Sequence, residues 1–258
     1  MDVSEYIGFV ASEGKLFAAA ADHGTLSVEV PSCPEWNTGD LVRHLGMVHL
    51  WAAANVAYPK DEWLDVDDVV DLAGHWPELA SERPTDAELV SWYRGTLANL
   101  INVLESTPAD HKCFAFLPAP SPLAMWARRQ ASELAIHRFD AESAHGISSN
   151  YEPEFATVML DELLFGFAQR PRHKEIDVDG QRVLHLTAED TGGNWWITIT
   201  PQGIETSHTG SDADVTVTAT AAELYLSMWN RTPDSTVQLS GDASAMDLWH
   251  STHRIRWS

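Results

Sequence analysis

The hydrophobic and polar positions along the chain change their period near its middle. In the first half, apolar residues recur at helical spacing in four stretches of about 20 residues, which begin near residues 2, 38, 86 and 123. Loops that contain proline separate them, and residues 59–84 predict a long connection. Four helices of this length predict a four-helix bundle that ends near residue 147.

The second half begins with one more amphipathic helix and then alternates apolar and polar residues at the period of a β-strand. The runs "VLHLTAED", "NWWITITP" and "ADVTVTAT" predict strands, and helical "AAELYLSMWNR" and "ASAMDLWHSTHRIR" close the chain. This order predicts a smaller α+β domain with an antiparallel sheet. The sequence therefore predicts an α+β protein with a bundle at 1–147 and a second domain at 148–258.

Composition narrows the classes of partner. With 38 acidic and 16 basic residues the formal charge is −22, which opposes binding to nucleic acid or to an anionic membrane, because both need a basic face. Cys33 and Cys113 form no recognisable disulfide or metal motif, and the acidic N-terminus lacks the apolar core of a signal peptide. We expect a cytoplasmic monomer that acts on small molecules.

The stretch "ASELAIHRFDAE" carries polar residues where a packed helix usually has Leu or Ile. Glu133, His137 and Asp140 are spaced four and three residues apart, so they share one helix face. Glutamate and histidine are ordinary zinc ligands. The alternative for Glu133 and His137 is a solvated side-chain pair.

A third ligand is offered by His44, inside "DLVRHLGMV" of the second helix. Helices of a bundle can face each other and build a metal site between them. Three protein ligands with a fourth position open form the pattern of catalytic zinc. The alternative for His44 is a hydrogen-bonded core histidine.

Asp140 lies one turn beyond His137 on the same face. It can orient a ligand histidine through a hydrogen bond, or act as a base. The alternative is a salt bridge to Arg43, Arg128 or Arg129. We favour this supporting role for Asp140 over direct binding of the metal.

The pair of segments "CPEWNTGDLVRHLG" and "ASELAIHRFDAE" resembles the mycothiol-dependent maleylpyruvate isomerase family. The family's first motif is a tryptophan, a short spacer and Asp-Leu-x-x-His-Leu, and its second is Glu-x-x-x-His-Arg-x-Asp. The resemblance implies a DinB-like metal-binding bundle followed by a smaller α+β domain. It also implies that the metal ligands are His44, Glu133 and His137.

The C-terminal segment "ADVTVTATAAELYLSMWNR" resembles the family's strand and helix that end in Trp-x-Arg. The resemblance implies that Arg231 binds the thiol cofactor or an acidic substrate. The family's glycine before this helix is not present here. The alternative for Arg231 is a surface arginine at a helix C-terminus, where the helix dipole favours a cation.

The resemblance implies a divalent metal, expected to be Zn²⁺, and mycothiol as the thiol cosubstrate. Coordination to zinc deprotonates a thiol, and the thiolate then adds to a small electrophile. Release of the thiol makes the enzyme a maleylpyruvate isomerase, whereas stopping at the adduct makes it a thiol S-transferase. Two alternatives remain: a thiol-independent metalloenzyme that uses metal-bound water or hydroxide, and a non-catalytic metal- and ligand-binding protein.

Overall fold

The computed structural model describes residues 1–58, 64, 76, 79, 84–171 and 174–253. The chain divides into two compact units, Met1–Ser149 and Asn150–Ser258. Most of the long connection predicted for residues 59–84 lies outside the described residues, as does the end of the predicted last helix from residue 254 onward.

The first unit contains the predicted four-helix bundle. Its helices are α1 (Val3–His23), α2 (Thr38–Ala57), α3 (Asp86–Ser106) and α4 (Pro122–Ala144). Helix α4 packs against α1 and α2, and α3 also packs against both α1 and α2. A short antiparallel hairpin, β1 (Glu29–Val30) and β2 (Cys33–Asn37), leads into α2 where the sequence predicts only a loop.

Helix α4 is the central helix of this unit, and 18 of its 23 residues are buried. Its buried residues include several charged side chains, which a core accepts only when they are paired. On one side, Arg138 Nε donates to Glu13 Oε2 at 2.6 Å, and its Nη1 atom lies 3.2 Å from both carboxylate oxygens of Glu142. This buried ion cluster ties α4 to α1.

The described part of the second unit contains the predicted sheet and three α-helices. Helix α5 (Pro153–Asp161) passes directly into a π-helical segment, Glu162–Phe167. The strands are β3 (Arg182–Ala188), β4 (Asn194–Thr200), β5 (Gly203–Ser207), β6 (Val215–Ala219) and β7 (Gln238–Gly241), and the helices α6 (Ala221–Met228) and α7 (Ser244–Thr252) complete the unit.

The sheet has the strand order β5-β4-β3-β6-β7, and the neighbouring strands are antiparallel except for the parallel pair of β3 and β6. Burial alternates along the central strands, because successive side chains of a strand point to opposite faces. Leu184, Leu186, Trp195 and Ile197 belong to the buried face. Helices α6 and α7 both contact β3, so one hydrophobic core holds helices and sheet together.

Candidate metal centre

His44 is positioned by the capped start of α2. The Asn37 side chain accepts a hydrogen bond from the Asp40 backbone N–H, and the Asp40 carboxylate accepts one from the Asn37 backbone N–H. This reciprocal capping box satisfies two backbone donors that a helix start leaves open. It fixes the register of α2, which places His44 in the second turn.

Glu133 and His137 are positioned by α4, whose start is also capped. The Ser121 hydroxyl accepts a hydrogen bond from the Ala124 backbone N–H, and Pro122 occupies the first helical position, where a missing N–H costs nothing. Because Glu133 and His137 are one turn apart, they lie on the same face of α4. Their side chains are 8% and 1% exposed.

The three side chains meet at one carboxylate oxygen. Glu133 Oε1 lies 3.2 Å from His44 Nε2 and 3.2 Å from His137 Nε2. One donor atom from each of the three residues falls within 4.8 Å of the other two. Two imidazole nitrogens and one carboxylate oxygen form a donor set that suits Zn²⁺, so the residues can hold a divalent metal.

The charge of Glu133 is stabilised by Arg129, one turn earlier on α4. Burial raises the pKa of the Glu133 carboxyl, but the attraction of the Arg129 guanidinium and hydrogen bonds from both histidines outweigh it and hold this pKa well below its usual range. Arg129 Nη2 donates to Glu133 Oε2 at 2.5 Å. Glu133 is therefore ionised at neutral pH, as a metal ligand must be.

His137 is held from its other side by Asp140. Its Nδ1 lies 2.8 Å from Asp140 Oδ2, and the Ser32 hydroxyl donates to Asp140 Oδ1 at 2.5 Å. A carboxylate at Nδ1 accepts the ring proton there, so that Nε2, the atom that faces Glu133, becomes the metal-binding nitrogen when metal binding releases the second proton of the ring. Asp140 thus contacts His137 and Ser32, as the supporting role requires, and that role stays a prediction.

The pKa values of the two histidines shift in opposite directions. Burial lowers the pKa of His44, and the charge of His137 adds to this effect against the opposing hydrogen bond to Glu133. Burial also lowers the pKa of His137, but its hydrogen bonds to Asp140 and Glu133 outweigh burial and raise it. The Trp36 ring packs against the His44 ring with centroids 5.1 Å apart. His44 is therefore neutral at physiological pH, the form that binds metal.

Arg231 lies in the second unit, just after α6. Its backbone N–H donates to the Leu226 carbonyl at 2.8 Å, and its guanidinium donates to the Trp229 carbonyl at 3.1 Å. Its side chain is half-buried. These contacts with carbonyls at the helix end agree with the alternative of an arginine that stabilises a helix C-terminus, and a binding role for Arg231 stays a prediction.

Two contacts of the centre were not predicted from the sequence. The contact of Arg129 with Glu133 has a local signal, since the residues are four apart on one helix, whereas the sequence interpretation offers Arg129 only as an alternative partner of Asp140. Ser32 lies 108 residues before Asp140, so no spacing in the sequence could indicate that contact.

The fold and the donor set together define the class: a DinB-like helix-bundle protein with a His–Glu–His group able to hold a divalent metal, joined to an α+β unit. Residues 10–142 match the model of the mycothiol maleylpyruvate isomerase N-terminal domain, and residues 154–248 match the C-terminal domain of the same family. The chain belongs to the mycothiol maleylpyruvate isomerase family, a family of enzymes.

Solved structures support the same fold. The crystal structure of the mycothiol-dependent maleylpyruvate isomerase aligns with a TM-score of 0.59 at 15% identity, and that of a mutant of this enzyme with 0.60 at 14%; each alignment covers 93% of both chains. No curated protein matched the chain in a sequence comparison. In the described part of the chain, no helix has both the length and the apolar character needed to cross a membrane.

Proposed function

We propose that this chain is a zinc- and mycothiol-dependent enzyme that adds the thiol to a small electrophile, either as a maleylpyruvate isomerase or as a thiol S-transferase. The observation that carries the proposal is that the Nε2 atoms of His44 and His137 both lie 3.2 Å from Glu133 Oε1, in a chain of this family. The proposal includes Zn²⁺ as the metal, since two imidazoles and one carboxylate with an open position form a catalytic zinc set.

In this proposal His44, Glu133 and His137 hold the metal. A bound zinc ion supplies the charge that keeps a coordinated thiol deprotonated at neutral pH. Asp140 keeps the proton of His137 on Nδ1 and fixes the ring plane, so that His137 presents Nε2. Cys33 and Cys113 are not joined in a disulfide, and the proposal uses neither of them as the nucleophile.

With maleylpyruvate, the thiol sulfur would form a bond to one carbon of the cis double bond and the electron pair would move toward the neighbouring carbonyl. Rotation about the resulting single bond and expulsion of the thiol would give the trans isomer, with the thiol regenerated. An S-transferase would instead protonate the adduct and release it. We propose that Arg231 binds the carboxylate of an acidic substrate or of the thiol, which rests on the family resemblance.

The proposal extends to the organisation of the protein. We propose that residues 1–147 act as the metal-binding domain and residues 148–258 as a domain that contributes to ligand binding. We also propose that the enzyme is a monomer in the cytoplasm, a reducing compartment with which two cysteines outside any disulfide are compatible. Sedimentation at micromolar concentration tests the monomer directly.

The first experiment is metal analysis followed by thiol titration. Wild type should contain about one zinc ion per chain, and His44→Ala and Glu133→Gln should lose it, because each removes one of only three protein donors. Glu105→Gln is the matched control, since Glu105 is an exposed carboxylate on α3. Calorimetry should then show saturable binding of mycothiol to zinc-loaded wild type only.

The outcomes separate the candidate functions. Zinc binding without thiol binding, together with activity that needs no thiol, would favour the hydroxide mechanism. A zinc ion whose fourth coordination position is already filled by a protein ligand would favour a non-catalytic binding protein. A wild-type protein that binds no metal, with unchanged melting temperature on zinc addition, would refute the proposal.

A further inference from the structure

A buried cation lies beside the proposed metal ligands. Arg129 is 3% exposed and sits one turn before Glu133 on α4. An arginine in a core is strongly destabilising unless its charge is paired. An apolar residue could occupy this buried position of α4, so the contacts of Arg129 should show why a charged residue is present.

The contacts of Glu133 divide its two oxygens between different partners. Oε1 lies 3.2 Å from each imidazole Nε2, whereas Oε2 accepts the 2.5 Å bond from Arg129 Nη2. Charge-assisted bonds of this kind are short and about twice as strong as neutral ones. Oε2 therefore accepts from a strong donor, and Oε1 is the oxygen that lies 3.2 Å from each histidine.

From this division we infer that Arg129 is a positioning residue that makes Glu133 a one-oxygen ligand. The inference rests on the proposed metal binding and goes beyond it, since it sets the number of protein donors at three. Without the guanidinium, the carboxylate could turn and bind a metal through both oxygens, as carboxylates commonly do. A fourth protein donor atom would then raise the coordination number from four to five and crowd the position that the thiol takes.

The residue type at position 129 follows from this role. Guanidinium stays charged at any physiological pH and presents its N–H groups in a rigid plane, so it holds one oxygen in a fixed direction. Its positive charge also offsets the charge of Glu133, which leaves more of the metal's charge for an incoming anion. The same arrangement should disfavour Mg²⁺ and Ca²⁺ relative to Zn²⁺, because those ions need six or more oxygen ligands and a one-oxygen carboxylate supplies a single one.

The test measures coordination rather than activity. X-ray absorption of zinc-loaded wild type should show one short carboxylate oxygen and two imidazoles, and cobalt-loaded protein should show the intense visible bands of a four-coordinate ion. In Arg129→Met, the number of oxygen neighbours should rise by about one and the cobalt bands should weaken. Arg129→Lys keeps a positive charge near Glu133 but lacks the rigid planar donor, so its spectra should fall between those of wild type and Arg129→Met.

Arg128→Met is the matched control. Arg128 neighbours Arg129 in sequence but donates to the Pro118 carbonyl at 2.6 Å, so its loss should leave both spectra unchanged. An Arg129→Met spectrum identical to that of wild type would overturn the inference. So would a bidentate carboxylate in wild type, a result that does not depend on whether any variant folds. Wild type that binds neither ion would instead refute the proposed function.

Discussion

The buried histidine His49 makes a sharp prediction about stability against pH. Its ring is fully buried between α2 and α3, and its Nδ1 lies 3.1 Å from the Thr96 hydroxyl. Because Thr96 gives its own proton to the Tyr93 carbonyl, Nδ1 must donate to the Thr96 oxygen. Nε2 is then unprotonated, and among the described residues it has no hydrogen-bond partner. A second proton on this ring would put an unpaired charge in the core.

The sign and size follow from the pKa. Burial, with the charge of His44 adding to it, lowers the pKa of His49 from 6.5 to about 3. The unfolded chain therefore takes up the proton first, so stability is complete above pH 6.5 and is lost as the pH falls toward 3. Each unit of pH in this window costs about 1.4 kcal/mol, so His49 should cost about 2 kcal/mol at pH 5.

The assay is urea unfolding at pH 7.5 and pH 5.0 for wild type and His49→Gln, with chelator present so that metal binding does not contribute. The variant should be less stable than wild type at pH 7.5, but its loss between the two pH values should be about 2 kcal/mol smaller. Other titrating groups are common to both proteins and cancel in this difference. Equal losses would refute the assignment of His49 as a buried neutral imidazole.

Two further predictions concern packing. Arg138→Met should lower the free energy of unfolding in urea by about 3–5 kcal/mol, because it leaves buried carboxylates unpaired. Arg94→Met, at an exposed ion pair, should lower it by under about 1 kcal/mol, and equal losses in the two variants would contradict a buried Arg138 cluster. Gly46→Ala should lower the stability measured by thermal unfolding by about 1–3 kcal/mol, because its Cβ would lie 2.0 Å from the Trp92 ring. The control Gly8→Ala meets nothing within 4 Å and should stabilise α1 slightly, whereas a stabilised Gly46→Ala would contradict the packing described.

The parts of the fold that sequence predicts well are those that local chemistry determines. The four long helices follow from apolar period and from caps such as Asn37 and Ser121, which act within three residues. The central strands β3, β4 and β6 follow from strict alternation, because one face of each is buried.

The elements that were missed lack such a signal. Strand β5 buries only Ile204, and β7 buries no residue, so neither has an alternating pattern. Strand β2 contains Pro34, which is typical of a loop unless the strand lies at an edge. The π-helical segment after α5 adds one residue to a turn, and an apolar period cannot distinguish that from a continuous α-helix.

The same distinction applies to the candidate centre. The shared face of Glu133 and His137 follows from helix geometry. The approach of His44 depends on bundle packing, so the sequence offers it as a third ligand and the family resemblance supports that choice. The metal and the roles of Asp140 and Arg231 stay predictions. Ser32 could not be expected at all, because a contact across 108 residues depends on the whole tertiary structure.

Helix α4 gives the centre an unusual portability. Arg129, Glu133, His137 and Asp140 lie within 12 consecutive residues of one helix, and α2 adds one histidine. A protein engineer could therefore copy the arrangement onto another antiparallel bundle by grafting three turns of helix and one side chain on the facing helix. The same compactness restricts its evolution, since an insertion of a single residue between positions 129 and 140 would rotate part of the set about 100° away from the rest.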